Sequence, residues 1–223
     1  MRIIDSSSDY FVDQYRDYEK QNSPRKLDHY LDVIDSHWTG GQAELLDVGC
    51  GLGSFLERAH LRHPAWLLHG TDINRQGVEA TQARVPSAVV TMSSADTRSH
   101  PAATFDLVTA WDVVEHVAAA DRVADSIDTM LRPGGLFFFV VPVYDGMLGK
   151  IVERLDQDPT HIHKRGRDFW LDWAANRFEI LEWHGIFRYL VADRWYAHIH
   201  TRLLRRQGSA VLIACRKRGS QVS

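Results

Sequence analysis

The chain has 223 residues, 44% of them hydrophobic and 25% charged, with a formal net charge of −3. This is the length and balance of one globular domain with ample chain to bury a core, and its slight acidity argues against a protein that coats nucleic acid. Two cysteines make no disulfide framework, the first residues lack a signal-peptide core, and no apolar run reaches the length of a membrane span. A reduced, cytoplasmic setting without a membrane partner is expected.

Residues 9–20 hold Tyr10, Phe11, Tyr15 and Tyr18 among charges, either as packing or as a lid over a ligand. Ser23 and Pro24 then open a helix, whose stripe is Leu27, Tyr30, Leu31, Ile34 and Trp38. Leu45, Leu46 and Val48 read as the end of a buried strand. Gly49, Gly51 and Gly53 follow at alternate positions, and a helix is predicted over 54–63. Ser54 is placed as its cap, with Glu57 at the capping-box spacing. Strand, glycine turn and helix N-terminus form the nucleotide-binding corner of α/β sheets. A purely structural turn would use the same residues. A pyrophosphate turn wants G-x-G-x-x-G or A. Here the third glycine comes one residue early, and Asp47 suits an ammonium group better than a pyrophosphate.

Residues 66–71 form the second predicted strand, ending in Asp72, Ile73 and Asn74. An acid here, about 20 residues after the glycines, can accept hydrogen bonds from ribose hydroxyls; alternatively Asp72 caps the next helix. That helix is predicted over 75–84 with Val78 and Ala83 inward, then a strand over 88–92 and the loop Ser94-Ala95-Asp96. A fourth strand spans 105–110, followed directly by Trp111 to His116. A helix with Val123, Ile127, Met130 and Leu131 on one face leads through Pro133-Gly134-Gly135 into residues 136–141, the most continuously apolar strand and hence a central one. Successive strand–helix units predict an α/β fold with a parallel, doubly wound sheet.

Asp47-x-Gly49-x-Gly51-x-Gly53, Phe105-Asp106-Leu107-Val108, Glu115-His116 and Leu131-Arg132-Pro133-Gly134-Gly135 occur in this order across residues 45–142. The set resembles the motifs of class I S-adenosylmethionine (SAM) methyltransferases. The resemblance implies a Rossmann-like seven-stranded sheet with an antiparallel last strand. Residues 178–183 and 209–215 would be its sixth and seventh strands, and 192–206 a helix or substrate-side insertion. One domain is expected: a helical lid to residue 40, a SAM-binding core over 41–142, substrate-side segments over 143–206 and the last strand over 207–217. SAM would be held by Asp47 near its ammonium, the turn Gly49, Cys50, Gly51 and Gly53, Asp72 and Ile73 beside the ribose, Asp96 at the adenine amino group, and Trp111. The product would be S-adenosylhomocysteine.

Asp112, Glu115 and His116 stand at i, i+3 and i+4 and share a face if the turn is helical. Such a group can bind a divalent cation, form a salt-bridge cluster, or offer His116 as a general base. Downstream, His161 and His163 flank one residue and point to one side if extended. The catalytic candidates are therefore His116, His161 and His163, and the metal candidates Asp112, Glu115, His116 and His163. The combination resembles the ubiquinone-type O-methyltransferases and the small-RNA 2′-O-methyltransferases. Those groups carry Glu where this chain has the shorter Asp112, which favours a metal-free account. The leading expectation is methyl transfer from SAM to a small-molecule hydroxyl. The alternatives are metal-assisted 2′-O-methylation of RNA, which the net acidity disfavours, and a non-catalytic SAM-binding protein. An NAD-dependent oxidoreductase is disfavoured by Asp47 and the glycine spacing. His29, His37, His60, His63, His69 and His100 read as surface or packing residues, with His184, His198 and His200 left open. The arginines between 202 and 218 read as a solvated basic face, or as a site for an anionic substrate.

Overall fold

Residues 136–141 are all apolar and point alternately to the two faces of the sheet, each set toward its own layer of helices. The computed structural model describes residues 22–146, 149–156, 158, 160–191 and 195–219; the tyrosine-rich stretch and the outer half of the expected lid lie outside them. Helix α1 is Pro24–His37, followed by β1 Glu44–Val48, α2 Ser54–Arg62, β2 Leu67–Asp72, α3 Arg75–Arg84 and β3 Val89–Met92. Strand β4, Phe105–Trp111, leads into a 3₁₀ turn at Val114–His116, then α4 Ala120–Met130 and β5 Leu131–Pro142. The last part contains α5 Gly149–Leu155, α6 Arg167–Arg177, β6 Phe178–Val191, β7 Trp195–Thr201 and β8 Ala210–Lys217.

The sheet order is β3-β2-β1-β4-β5-β8-β6-β7. The first five strands pair in parallel, and β8 runs antiparallel between β5 and β6. The order reverses between β1 and β4, so the carboxyl ends of those two strands flank the switch-point crevice where such sheets bind ligands. Strand β5 is interior, as its unbroken apolar run predicts. Phe138 and Val140 join Leu45, Leu107, Leu212 and the α1–α2 residues Tyr30, Ile34 and Leu56 in one core. Phe137, Phe139 and Val141 join Val108, Ile213 and the α4–α6 residues Val123, Ile127, Trp170 and Trp173 in the other. Truncating one of these phenylalanines to Ala would cost about 3–5 kcal/mol.

Several expectations need correction. The sheet has eight strands rather than seven. Strand β6 runs on past Trp183 to Val191, and β7 occupies part of 192–206, where a helix or insertion was expected. Alternating Ile186, Arg188, His198 and His200 in this hairpin suit a strand; the histidines and aromatics obscured that period. The last strand is Ala210–Lys217, against an expected strand over 209–215 within the segment 207–217. Helix α2 is capped by Gly53 in a left-handed conformation, with Ser54 already helical and its hydroxyl accepting from Arg84. In α3 the buried residues are Gly77 and Thr81, whereas Ala83 is exposed and Val78 only half-buried. Asn74, not Asp72, caps that helix by accepting from the Gln76 amide.

Helix α1 covers the sheet beside the β6–β7 hairpin. Its His29 ring stacks on His200 at 3.4 Å and 7°, with His184 at 5.7 Å and His198 at 6.0 Å. Two of the expected surface-or-packing and open histidine sets thus meet in one cluster. One residue on, Tyr30 stacks on Trp111 at the end of β4, with centroids 4.3 Å apart. The packing of α1 therefore reaches from the hairpin to the crevice.

Candidate active site

The glycine turn begins where β1 ends. Gly49 and Cys50 donate their amides to the Thr71 carbonyl, and Gly53 donates to Cys50. Gly49 has φ +72, and a Cβ there would lie 2.4 Å from Val113 Cγ2, so both conformation and space demand glycine. The turn is braced from β2: Asp72 Oδ2 accepts from the Gly51 amide at 2.9 Å and Oδ1 from the Asn74 amide at 2.8 Å. Burial raises the Asp72 pKa, opposed by these amide hydrogen bonds. Thr81 holds the turn from α3 by donating to the Gly51 carbonyl at 2.8 Å.

Asp47 is almost fully buried at the end of β1, and its Oδ1 accepts from the Thr109 hydroxyl at 2.6 Å. Burial pushes its pKa up to about 7. A carboxylate poised so near neutrality in a crevice would be stabilised in its charged form by an incoming ammonium group. Cys50 is buried with its sulfur 3.7 Å from the Thr81 hydroxyl oxygen, and burial raises the thiol pKa. It contributes its backbone to the turn and is no nucleophile. Ile73 is 67% exposed beside Asp72. Asp96 is half-buried and accepts from Ser94 at 2.5 Å. Trp111 lies between Tyr30 and the edge of Phe55. All the expected SAM contacts lie near the carboxyl ends of β1 to β4, in the turn at the crevice or in the loops that follow.

The second half of the site departs from the expected helical face. Asp112 takes a left-handed φ of +58 as β4 ends, and only Val114–His116 form a 3₁₀ turn. Asp112 instead pairs with Arg188 of β6 at 2.6 Å and with Lys26 of α1 at 3.7 Å. Burial works to raise its pKa, and the two cations overcome that and lower it. Burial pulls Lys26 down to about 8. Neither cation was identified from sequence. Lys26 sits on a helix that reads as packing, and Arg188 lies in the unforeseen extension of β6.

Glu115, His116 and His161 do converge, offering one ligand atom each within 4.8 Å of one another. Glu115 is fully buried, and among the described residues neither of its carboxylate oxygens has a hydrogen-bond partner. Burial, then the nearby Asp112, push its pKa well up. His116 is held below its usual pKa by burial and then by His161. His163, the fourth metal candidate, lies outside this group. Its Nε2 donates to the Val117 carbonyl at 2.9 Å, and the amides of Ile162 and His163 both donate to the Glu115 carbonyl at 3.0 Å. His163 thus fastens its loop to the 3₁₀ turn, and it is His161 that turns toward Glu115.

A methyltransferase-domain family profile matches residues 16–201, most of the chain. The chain belongs to the class I SAM-dependent methyltransferases. Among relatives, it is 31% identical over 114 residues to a ubiquinone biosynthesis O-methyltransferase of Chromobacterium violaceum, covering 49% of this chain and 48% of that one. A protein of the same name from Azoarcus is 30% identical over 115 residues, with the same coverage. The chain thus spans about half the length of the curated relatives it matches. A Thermotoga maritima structure, described as a SAM-dependent methyltransferase and possible histamine N-methyltransferase, superposes with TM-score 0.69 at 15% identity, over 93% of this chain and 96% of that one. A Haloferax volcanii putative methyltransferase in complex with the Trm112 activator gives TM-score 0.68 at 15% identity, over 94% and 96%. At these identities the two structures attest the fold alone. No helix among the described residues is long and apolar enough to cross a membrane.

Proposed function

We propose that this SAM-dependent methyltransferase acts on a hydroxyl oxygen of a small molecule, at the cluster Glu115, His116 and His161. The observation that carries this reading is Glu115: a fully buried carboxylate with no hydrogen-bond donor among the described residues, beside two imidazoles. Buried polar groups are normally satisfied, so an unsatisfied carboxylate beside histidines calls for a ligand. Two nitrogens and a carboxylate suit a divalent cation, and these three residues, rather than Asp112 or His163, would hold it. Bound there, a cation would lower the pKa of an acceptor hydroxyl. The names of the relatives support oxygen as the acceptor atom.

The chain's own groups divide the remaining work. Asp47 and Asp72 fix SAM at the glycine turn, so the methyl and the acceptor oxygen meet in line across the crevice. Such positioning supplies several kcal/mol of rate acceleration. Without a cation, His116, kept neutral by burial, can instead take the hydroxyl proton, an effect of about 10²–10⁴ in rate. Lys26 and Arg188 pair with Asp112, which keeps that carboxylate engaged beside the cluster rather than in it.

The test is methyl transfer from labelled SAM to a panel of phenols, catechols and short RNAs, with EDTA and after adding back Mg²⁺, Mn²⁺ or Zn²⁺. Transfer to a phenolic hydroxyl that chelation abolishes and a cation restores is the expected result. Chelator-insensitive transfer would return the chemistry to a histidine base alone. Transfer confined to RNA would overturn the small-molecule reading, and SAM binding without any transfer would leave a binding protein.

A further inference from the structure

The loop after α5 does more than deliver one histidine. Asp156 Oδ2 accepts from the Tyr144 hydroxyl at 2.6 Å, from His161 Nδ1 at 2.9 Å and from Lys164 at 3.1 Å. One residue before His161, the Thr160 hydroxyl oxygen lies 2.9 Å from His116 Nδ1. That hydroxyl has one hydrogen, and it is given to Asp158 Oδ1 at 2.5 Å. The Thr160 amide donates to the same oxygen at 2.8 Å. Since a carboxylate only accepts, the hydroxyl must donate to Asp158 and therefore accept from His116 Nδ1–H. His161 Nδ1 lies 2.9 Å from Asp156 Oδ2 and 3.0 Å from the Tyr144 hydroxyl oxygen; with the one hydroxyl hydrogen of Tyr144 given to Asp156 at 2.6 Å, Nδ1 must carry a hydrogen toward them.

We propose that Asp156, braced by Tyr144, and Asp158, acting through Thr160, are positioning residues that fix His161 and His116 as Nδ1–H tautomers, so that both rings keep an Nε2 lone pair for the cluster with Glu115. The two relays are adjacent, with Asp158 Oδ2 also 3.9 Å from His161 Nε2, and equivalent in chemistry: each imidazole has its δ nitrogen committed to a carboxylate, directly or through one hydroxyl. In neutral imidazole one nitrogen is a donor and the other an acceptor, so committing Nδ1 determines Nε2. His116 Nε2 stands 4.0 Å from Glu115 Oε1. The rings of His116 and His161 are 4.7 Å apart and tilted by 44°, too tilted for a packed stack. Groups that orient a histidine in this way typically change ion affinity or activity 10–100-fold when removed. The Ile162 and His163 amides donate to the Glu115 carbonyl, which ties the chain just after His161 to the 3₁₀ turn that carries Glu115 and His116.

This inference rests on the reading of Glu115, His116 and His161 as the reacting cluster, and the experiment separates the two. The variants are Asp156→Leu and Thr160→Val, near-isosteric and lacking the acceptor or the hydroxyl, with Asp156→Glu and Thr160→Ser as conservative controls. The direct readout is the tautomer of each ring, from long-range ¹⁵N–¹H spectra of histidine-labelled protein without substrate. Wild type should show Nδ1–H at both rings. Asp156→Leu should shift His161 toward Nε2–H and Thr160→Val should do so at His116, each leaving the other ring unchanged. Mn²⁺ affinity and kcat should fall 10–100-fold with SAM affinity unchanged, and Thr160→Ser should recover most of the loss. Wild-type tautomers in both variants would overturn the proposal, as would wild-type kcat and Mn²⁺ affinity in folded protein. If His116→Ala and His161→Ala themselves methylate at the wild-type rate, the reading of the cluster fails, while the tautomer spectra still decide the positioning.

Discussion

Asp72 Oδ2 accepts a hydrogen bond from the Gly51 amide at 2.9 Å, so the acid expected at the ribose also holds the glycine turn in shape. The two roles predict different losses. Asp72→Ala removes acceptors for both the Gly51 and Asn74 amides. It should weaken SAM binding by about 2–3 kcal/mol, roughly 30- to 150-fold, if the ribose hydroxyls also donate to it. Thermal stability should fall in the same variant, and Asp72→Asn, which keeps one carbonyl acceptor, should fall less. Calorimetric titration with SAM and a melting curve check both. Undiminished affinity in folded Asp72→Ala would remove Asp72 from the cofactor site.

Asp47 predicts a pH dependence of cofactor binding. Its pKa is pushed up to about 7 by burial, so if the SAM ammonium group meets Asp47, binding must displace a proton from it below neutrality. SAM affinity should rise with pH up to about 7, by at most tenfold per unit, and fall again once the free ammonium group titrates near about 8. Asp47→Asn should bind more weakly at neutral pH and lose the acid-side dependence. The stability effect has the opposite sign. The folded state keeps a proton that the unfolded chain has released between about pH 4 and 7, so this group makes the SAM-free protein less stable as pH rises through that window. Titrations at several pH values in one buffer series measure the first effect, and urea denaturation measures the second.

The parallel half of the fold was legible because its signals are local. Gly49, Gly51 and Gly53 recur at alternate positions, and the apolar runs at 105–110 and 136–141 are bounded by turns. The β6–β7 hairpin was not legible, because its histidines and aromatics are neither plainly apolar nor plainly polar and their partners lie on α1. The site divides in the same way. Asp47 and Asp72 stand at fixed offsets from the glycines, so register alone locates them. The placement of Asp112 depends on a left-handed backbone and on Arg188, 76 residues away. The choice of His161 over His163 depends on which ring meets Asp156 and which meets a carbonyl, and spacing carries neither.

Asp112 should be the residue of the β4 end most sensitive to charge removal. It accepts from Arg188 at 2.6 Å and lies 3.7 Å from the buried Lys26. Removing one partner of a buried ion pair costs about 3–5 kcal/mol, and the left-handed φ of +58 favours Asn over Ala among neutral replacements. Asp112 is 27% exposed, so Asp112→Ala is expected to destabilise by less than this full range, and Asp112→Asn by less again. Arg188→Leu should also destabilise, because one of the two cations holding the carboxylate is lost. Denaturant unfolding of the three variants checks the order. Equal stability of Asp112→Ala and wild type would mean that the pair contributes nothing to docking α1 against the hairpin.

The histidine cluster under α1 should set the acid limit of stability. Burial lowers the pKa of His29 to about 3, helped by His200 and His184, and lowers that of His198 to about 2, helped by Arg188 and Lys26. Asp32 opposes the shift at His29, and Asp112 opposes it at His198. Among the described residues, His29 Nε2 and both ring nitrogens of His198 have no hydrogen-bond partner to offset burial. In the unfolded chain these rings take up protons near pH 6.5, whereas in the folded state they stay neutral. Their stability contribution is therefore complete above about pH 6.5 and is lost as pH falls, by up to about 1.4 kcal/mol per pH unit for each ring. Asp47 and Glu115, whose pKa values are raised, act in the opposite sense, so the comparison must be between variants. His29→Phe keeps a flat ring against His200 and removes one titrating group. Its stability should decline less steeply than that of wild type between about pH 6.5 and 4.5, with a smaller difference near pH 8. Parallel profiles for His29→Phe and wild type across that range would show that His29 is protonated in the folded protein, and that the face-to-face stack with His200 does not persist there.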